Sequence, residues 1–97
     1  MPWLISFEDE PTRAHVRAEF LPKHLDYVRS IERSLLCAGP LREAADGPQT
    51  GGLWIVDGED RARAVALFEA DPFFTEGLRA NVRVQYWGKG VWDGKLL

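Results

Sequence analysis

Hydrophobic and polar residues alternate most regularly near the C-terminus, where every second position from Ala80 to Tyr86 is apolar. A period of two residues predicts a strand with one buried face and one face toward water. Short apolar runs at residues 3–7, 35–38 and 53–56 predict three more strands. The first two runs are apolar on both faces, so we expect both strands to be buried inside a sheet.

Two segments show the three- and four-residue spacing of amphipathic helices. The first runs from Leu21 to about Glu32, with Pro22 in its first turn, where proline is tolerated. The apolar side of this helix carries His24. The second predicted helix opens at residues 59–60, where acidic side chains favour the positive end of the helix dipole.

A proline marks the end of the second helix. Because Pro72 disfavours a helical conformation at Asp71, we expect the helix to end near Ala70. An aspartate followed by proline is also typical of a helix N-cap. We therefore expect a short helical turn over residues 73–76, with Gly77 just beyond its end.

The order β-α-β-β-α-β predicts an α+β, ferredoxin-like fold with a four-stranded antiparallel sheet and two helices on one face. No helix separates the second and third strands, so residues 41–52, rich in glycine, are expected to form a long loop between them. The uncovered sheet face is expected to pack on a second subunit in a homodimer. The chain, 1–97, is predicted to be one domain whose tail, 88–97, docks at the dimer interface, because Trp92 is too apolar to stay in water.

Composition narrows the classes of partner. The 97 residues include 12 Lys and Arg against 15 Asp and Glu, and this mildly acidic balance argues against nucleic-acid binding. Arg79 and Arg83 are accordingly expected on a solvated face. No apolar run is long enough for a membrane span, and the single cysteine, Cys37, cannot form an internal disulfide, so a cytoplasmic location is expected. Zinc spacings, phosphate loops and dinucleotide fingerprints are missing, and no cofactor is predicted.

The sequence leaves two interpretations of His24 open. On an apolar helix face, it is a core or interface histidine satisfied by backbone groups. Beside a carboxylate, it is a general acid/base, because imidazole can take and return a proton near neutral pH. Asp71 is the plausible carboxylate partner, and its capping role is compatible if one oxygen caps while the other meets the imidazole.

Four motifs follow one another along the chain: Pro22-Lys23-His24-Leu25, Leu36-Cys37-Ala38-Gly39-Pro40-Leu41, Gly51-Gly52-Leu53-Trp54-Ile55 and Ala70-Asp71-Pro72-Phe73. Together they resemble the YciI-like (YCII-related) family of the dimeric α+β barrel superfamily, over about Trp3 to Trp87. The resemblance implies a protomer whose sheet packs on that of its partner. It also implies an active site built on a histidine and an aspartate, here His24 and Asp71. Most members lack an assigned reaction, and related branches include a dehydrochlorinase of chlorinated-aromatic breakdown.

The residues expected to bind a small-molecule substrate near this pair are Tyr27, Ser34, Gly39, Pro40, Trp54 and Phe73. The aromatic residues are expected to line an apolar pocket, and the serine to form a hydrogen bond with the substrate. The Gly-Pro pair is expected to form a turn at the mouth of the pocket. The first functional hypothesis is a cofactor-free enzyme that transfers protons, as a lyase or isomerase, on a small cyclic or aromatic acid. The alternatives are a non-catalytic dimeric module that binds a small ligand or a protein, and a cofactor-free oxygenase or dehalogenase of the same fold.

Overall fold

The structure is a computed structural model that describes residues 2–58 and 60–97. The strands are β1 (Trp3–Asp9), β2 (Leu35–Arg42), β3 (Gln49–Val56), β4 (Arg79–Tyr86), β5 (Val91–Trp92) and β6 (Lys95–Leu96). The helices are α1 (His15–Glu19), α2 (Leu21–Ile31), α3 (Arg61–Glu69) and α4 (Pro72–Thr75), with single 3-10 turns at Pro11–Arg13 and Glu32–Ser34. The position predicted to open the second helix, Glu59, lies outside the described residues, and Asp60 caps α3 by accepting the Ala62 N–H.

Four strands form one antiparallel sheet in the order β2-β3-β1-β4. This order confirms the predicted ferredoxin-like protomer. β1 lies between two neighbours, as its apolar character on both faces predicts. The helices cover the face that carries Ile5 and Phe7 of β1 and Trp54 of β3, and Ala64 and Phe68 of α3 complete this core.

The prediction that residues 35–38 are a buried strand closed by a Gly-Pro turn is wrong. β2 continues to Arg42 and lies at the edge of the sheet, where Cys37 is exposed and Leu41 is 42% exposed. Pro40 has no N–H to give, and an edge strand tolerates that loss because one side of it has no neighbour. Gly39 likewise lies within β2, so the loop between β2 and β3 covers only residues 43–48.

The strict alternation predicted for β4 is broken by a β-bulge. Ser6 pairs with Arg83 but Glu8 pairs with Ala80, so β4 has one more residue than β1 over this stretch. Asn81, in the bulge, has φ of 47°, a left-handed conformation that asparagine adopts more readily than most residues. Because one extra residue exchanges the two faces of a strand, Arg79 turns onto the helix side and Ala80 away from it. The prediction of a solvated Arg79 is therefore wrong.

The C-terminal tail folds on itself. β5 and β6 pair as a hairpin, and the rings of Trp87 and Trp92 meet edge to face at 5.7 Å. The Trp87 N–H donates to the Pro2 carbonyl, which ties the start of the tail to the N-terminus. No helix among the described residues is both long and apolar enough to cross a membrane. Docking of the tail at a dimer interface stays a prediction.

Replacing Asn81 tests the bulge. We expect Asn81→Val to lower the free energy of unfolding by about 1–2 kcal/mol, because a β-branched residue is strained at positive φ. Asn81→Gly should cost less, because glycine adopts this conformation freely. Urea denaturation measures both losses. The Asn81 amide also donates to Glu8 at 2.7 Å, so Glu8→Ala, which removes the acceptor, is the control for that contact. Equal losses of stability in the Val and Gly variants would show that the left-handed backbone conformation of residue 81 is not the cause.

Candidate functional site

Two helix starts bring His24 and Asp71 together. His24 is in the first turn of α2, where its N–H donates to the Phe20 carbonyl at 2.9 Å. Asp71 is the N-cap of α4, and its Oδ1 accepts the Phe73 N–H at 3.1 Å. The same Oδ1 lies 2.7 Å from His24 Nδ1. Capping and contact with the imidazole are thus made by one oxygen, not by two as the sequence suggested.

The surroundings of His24 orient its ring. The imidazole stacks on Phe73, with ring centroids 3.9 Å apart and planes at 7°. In the neutral imidazole, an Nδ1–H that donates to Asp71 leaves Nε2 with its lone pair. Nε2 accepts no hydrogen bond from the described residues. The Asp71 side chain is only 1% exposed and that of His24 13% exposed, so the carboxylate is covered while the ring retains access to solvent.

A cavity of about 270 Å³ opens beside His24, between α2 and the strands β2 and β3. It is lined by Arg17, Leu21, His24, Leu25, Val28, Ala38, Gly39, Pro40, Gln49, Trp54, Phe73 and Arg79. Five residues predicted from the sequence are therefore brought together here: His24, Gly39, Pro40, Trp54 and Phe73. Gly39 and Pro40 contribute as parts of a strand and not as a turn. Most of the wall is apolar, with polar groups from arginine, histidine and glutamine.

Tyr27 and Ser34 do not line this cavity. The Tyr27 hydroxyl donates to the Leu67 carbonyl and so joins α2 to α3. Burial raises the pKa of Tyr27, and the negative charge of Asp71 raises it further, so the phenol stays protonated at neutral pH. Ser34 lies in a separate, open hollow with Asp57 and Arg63.

Arg79 is a charged residue of the cavity that the sequence did not predict, and Arg17 is another. The side chain of Arg79 is 4% exposed, with Nη2 3.8 Å from Asp71 Oδ2 and Nη1 3.9 Å from Asp9 Oδ1. Burial lowers the pKa of Arg79, and the carboxylate of Asp71 opposes that effect. Arg17 approaches the same cluster and pairs with Asp9 at 2.6 Å. The only sequence signal was Asn81, because asparagine is unusual inside a strand.

Gly52 provides the room that Arg79 occupies. A Cβ atom at this position of β3 would lie 2.6 Å from Arg79 Nη1, closer than van der Waals contact allows. The guanidinium is further held between aromatic rings, with its Cζ 4.4 Å from the centroid of Phe7 and 5.2 Å from that of Phe73. Gly52 lies within β3 and forms no turn. Its role is to lack a side chain, which leaves room for the guanidinium of Arg79.

The geometry suits proton transfer. A histidine with one nitrogen on a buried carboxylate and the other toward a cavity can accept a proton from a bound molecule and return it. Among the described residues, no group of three or more His, Cys, Asp or Glu side chains is arranged to hold a metal ion.

Comparison with known proteins gives a family and a close structural relative. Residues 1–88 match the YCII-related domain family. Among solved structures, the chain is similar to 5-chloro-2-hydroxyhydroquinone dehydrochlorinase (TftG) from Burkholderia phenoliruptrix AC1100, in complex with 2,5-dihydroxybenzoquinone. The two chains are 30% identical with a TM-score of 0.82, over 93% of this chain and 96% of the other. The comparison with curated proteins finds no match.

Gly52→Ala tests the packing around Arg79. We expect it to lower the free energy of unfolding by about 1–3 kcal/mol, because the added methyl group overpacks a buried guanidinium. Gly39→Ala is the matched control in the neighbouring strand, since a Cβ there meets nothing within 4 Å. Urea denaturation of both variants measures the difference. A loss as large for Gly39 as for Gly52 would assign the effect to strand backbone and not to Arg79.

Proposed function

Since the chain belongs to the family of YCII-related domains, we propose that it is a small enzyme that transfers protons on a hydroxylated ring, with His24 as general acid/base. The observation that carries the proposal is the 2.7 Å contact between His24 Nδ1 and Asp71 Oδ1 at the wall of the cavity. Asp71 holds the imidazole in the tautomer that leaves Nε2 free to accept a proton. Its negative charge then stabilises the imidazolium that forms.

The cavity supports a small ring as substrate. Its volume of about 270 Å³ lies just below the range for drug-sized ligand sites, roughly 300–1,000 Å³, and so suits a smaller molecule. Trp54 and the apolar side chains of α2 offer flat and aliphatic contact, while His24 supplies a polar end. The relative TftG, named for a chlorinated hydroxyhydroquinone and holding a dihydroxybenzoquinone, supports a ring of this kind.

Elimination of chloride is the reaction that the comparison favours. His24 would take a proton from a ring hydroxyl and return it to the carbon that carries chlorine, leaving a ketone. Loss of a second hydroxyl proton would then form a second carbonyl as chloride leaves with the bonding electrons. The ring loses HCl overall and becomes a quinone without any oxidant. This is the dehalogenase alternative, favoured over isomerisation and oxygenation by the name of TftG.

Turnover of 5-chloro-2-hydroxyhydroquinone tests the proposal. We expect the protein to release chloride, and His24→Gln to lower kcat about 10²–10⁴-fold, because general acid/base catalysis contributes that much. His15→Gln is the matched control, since His15 is an exposed histidine on α1. Asp71→Asn should also lower kcat, because an amide cannot stabilise the imidazolium. Chloride release and quinone absorbance follow the reaction.

Two results would count against catalysis. If His24→Gln folds and turns over as fast as the parent, His24 is not the acid/base. If the parent binds 2,5-dihydroxybenzoquinone but shows no turnover of chlorinated or other hydroxylated rings, the non-catalytic module that binds a small ligand is the better function. Circular dichroism of each variant separates loss of chemistry from loss of fold.

The sheet face opposite the helices supports a homodimer. Strand pairing places Leu4, Leu53 and Leu41 on this face, and no helix among the described residues covers it. Leu4 and Leu53 are half-buried and Leu41 is exposed. A second copy presenting the same face would remove these side chains from water, which is the usual arrangement of a twofold interface.

Sedimentation velocity tests the dimer. The parent should sediment as a dimer, and Leu53→Glu should shift it to a monomer, because the new charge lies at the centre of the proposed interface. Leu25→Glu is the control, since Leu25 is 49% exposed on α2, on the helix side of the sheet. A parent that sediments as a monomer at all concentrations would contradict the proposal.

A further inference from the structure

Two arginines at the cavity wall have no role in the proton transfer proposed above. Arg79 reaches the cavity from β4 and Arg17 from α1, and their side chains are 4% and 21% exposed. A guanidinium buried to this degree normally forms several hydrogen bonds, because unmet donors inside a protein cost free energy. The contacts of Arg79 therefore decide whether it is a structural counter-ion or a binding group.

The guanidinium of Arg79 forms no hydrogen bond to any described residue. Its two carboxylate neighbours, Asp9 and Asp71, are 3.9 Å and 3.8 Å away, beyond hydrogen-bond distance. Nε and Nη1 are buried without a partner, and so is Asp71 Oδ2. Nη2 is neither bonded nor fully enclosed, which makes it the guanidinium nitrogen available to a molecule in the cavity.

The charged groups gather at one end of the cavity, around the ring of Phe73. His24 stacks on this ring at 3.9 Å, and the Cζ atoms of Arg17 and Arg79 lie 5.3 Å and 5.2 Å from its centroid. The remaining walls are mainly aliphatic or aromatic side chains of α2, β2 and β3. A ligand that suits this shape has an apolar ring body with an oxygen directed at His24 and Arg79.

We propose that Arg79, assisted by Arg17, binds the ionised ring oxygen, a phenolate or enolate, that is left when His24 takes a hydroxyl proton. This inference deepens the proposed function and rests on it. A charge-assisted hydrogen bond from a guanidinium to an oxyanion is stronger than one between neutral groups, more so in a site that excludes water. Arg79 is thereby a substrate-binding residue that selects rings with an ionisable hydroxyl.

Charge balance supports this assignment. The guanidiniums of Arg17 and Arg79 offset the carboxylates of Asp9 and Asp71, so the empty cluster is neutral when His24 is neutral. Transfer of a proton from a bound hydroxyl to His24 creates an imidazolium and an oxyanion together, and the site stays neutral overall. The rigid guanidinium, held against Phe7, needs little reorganisation as the negative charge develops.

The test compares two quinones, one with two ionisable hydroxyls and one with methoxy groups in their place. Isothermal titration calorimetry measures binding of 2,5-dihydroxybenzoquinone and of 2,5-dimethoxybenzoquinone, in a Cys37→Ala background so that the exposed thiol does not add to the quinone. We expect the dihydroxy compound to bind at least about ten-fold more tightly, because the ether oxygens carry no charge. Equal affinities would overturn the proposal, whatever the variants do.

Substitution of Arg79 locates the effect. Arg79→Gln should abolish the preference for the dihydroxy compound, while Arg79→Lys, which keeps the charge without the planar fork, should retain part of it. Arg61→Gln is the matched control, because Arg61 is an exposed arginine on α3 that does not line the cavity. A preference that survives in folded Arg79→Gln would overturn the assignment to this residue.

The outcomes separate this inference from the proposed function. Turnover by a protein that binds both ligands equally would overturn the role of Arg79 and leave acid/base catalysis standing. Preference for the ionised ligand without turnover of any ring would leave the binding role of Arg79 standing and overturn the proposed catalysis.

Discussion

The candidate site depends on the contacts of one buried group, the carboxylate of Asp71. One oxygen caps α4 and accepts from His24, and the other faces Arg79 without a hydrogen bond. A carboxylate that is 1% exposed is costly to bury unless donors and positive charge surround it. The start of α4, the imidazole and the guanidinium supply both. The same carboxylate that caps the start of α4 thus orients the histidine of the cavity.

The guanidinium beside Asp71, that of Arg79, comes from the sheet, and its placement depends on two irregular positions. The bulge at Asn81 turns Arg79 toward the helices, and Gly52 leaves space for its guanidinium. Regular alternation along β4 would instead place Ala80 there and Arg79 on the other face. Bulges occur next to functional sites because they redirect a side chain without changing the order of the strands.

Local sequence patterns predicted the fold and two residues of the candidate site, His24 and Asp71. Apolar periodicity is sufficient for β1, α2 and the ferredoxin-like order, because each element must bury one consistent face. His24 and Asp71 were found for a related reason: a polar residue on an apolar stripe and an Asp-Pro break are both local signals. The burial of β2 was misjudged, because an apolar run does not tell an edge strand from a central one. Tyr27 lies on the same stripe as His24, yet its hydroxyl turns to Leu67 and not to the cavity.

The sequence by itself determined the four strands of the main sheet and the two longer helices in their order, and it marked the two residues whose local settings are unusual. Only the tertiary structure decided that one oxygen of Asp71 serves both α4 and His24, and that Arg79 completes the cluster. The physical reason is that side-chain direction in a strand depends on register. One additional residue in β4, at the bulge opposite β1, reverses the face of every residue beyond it, and no pattern within β4 alone specifies that register.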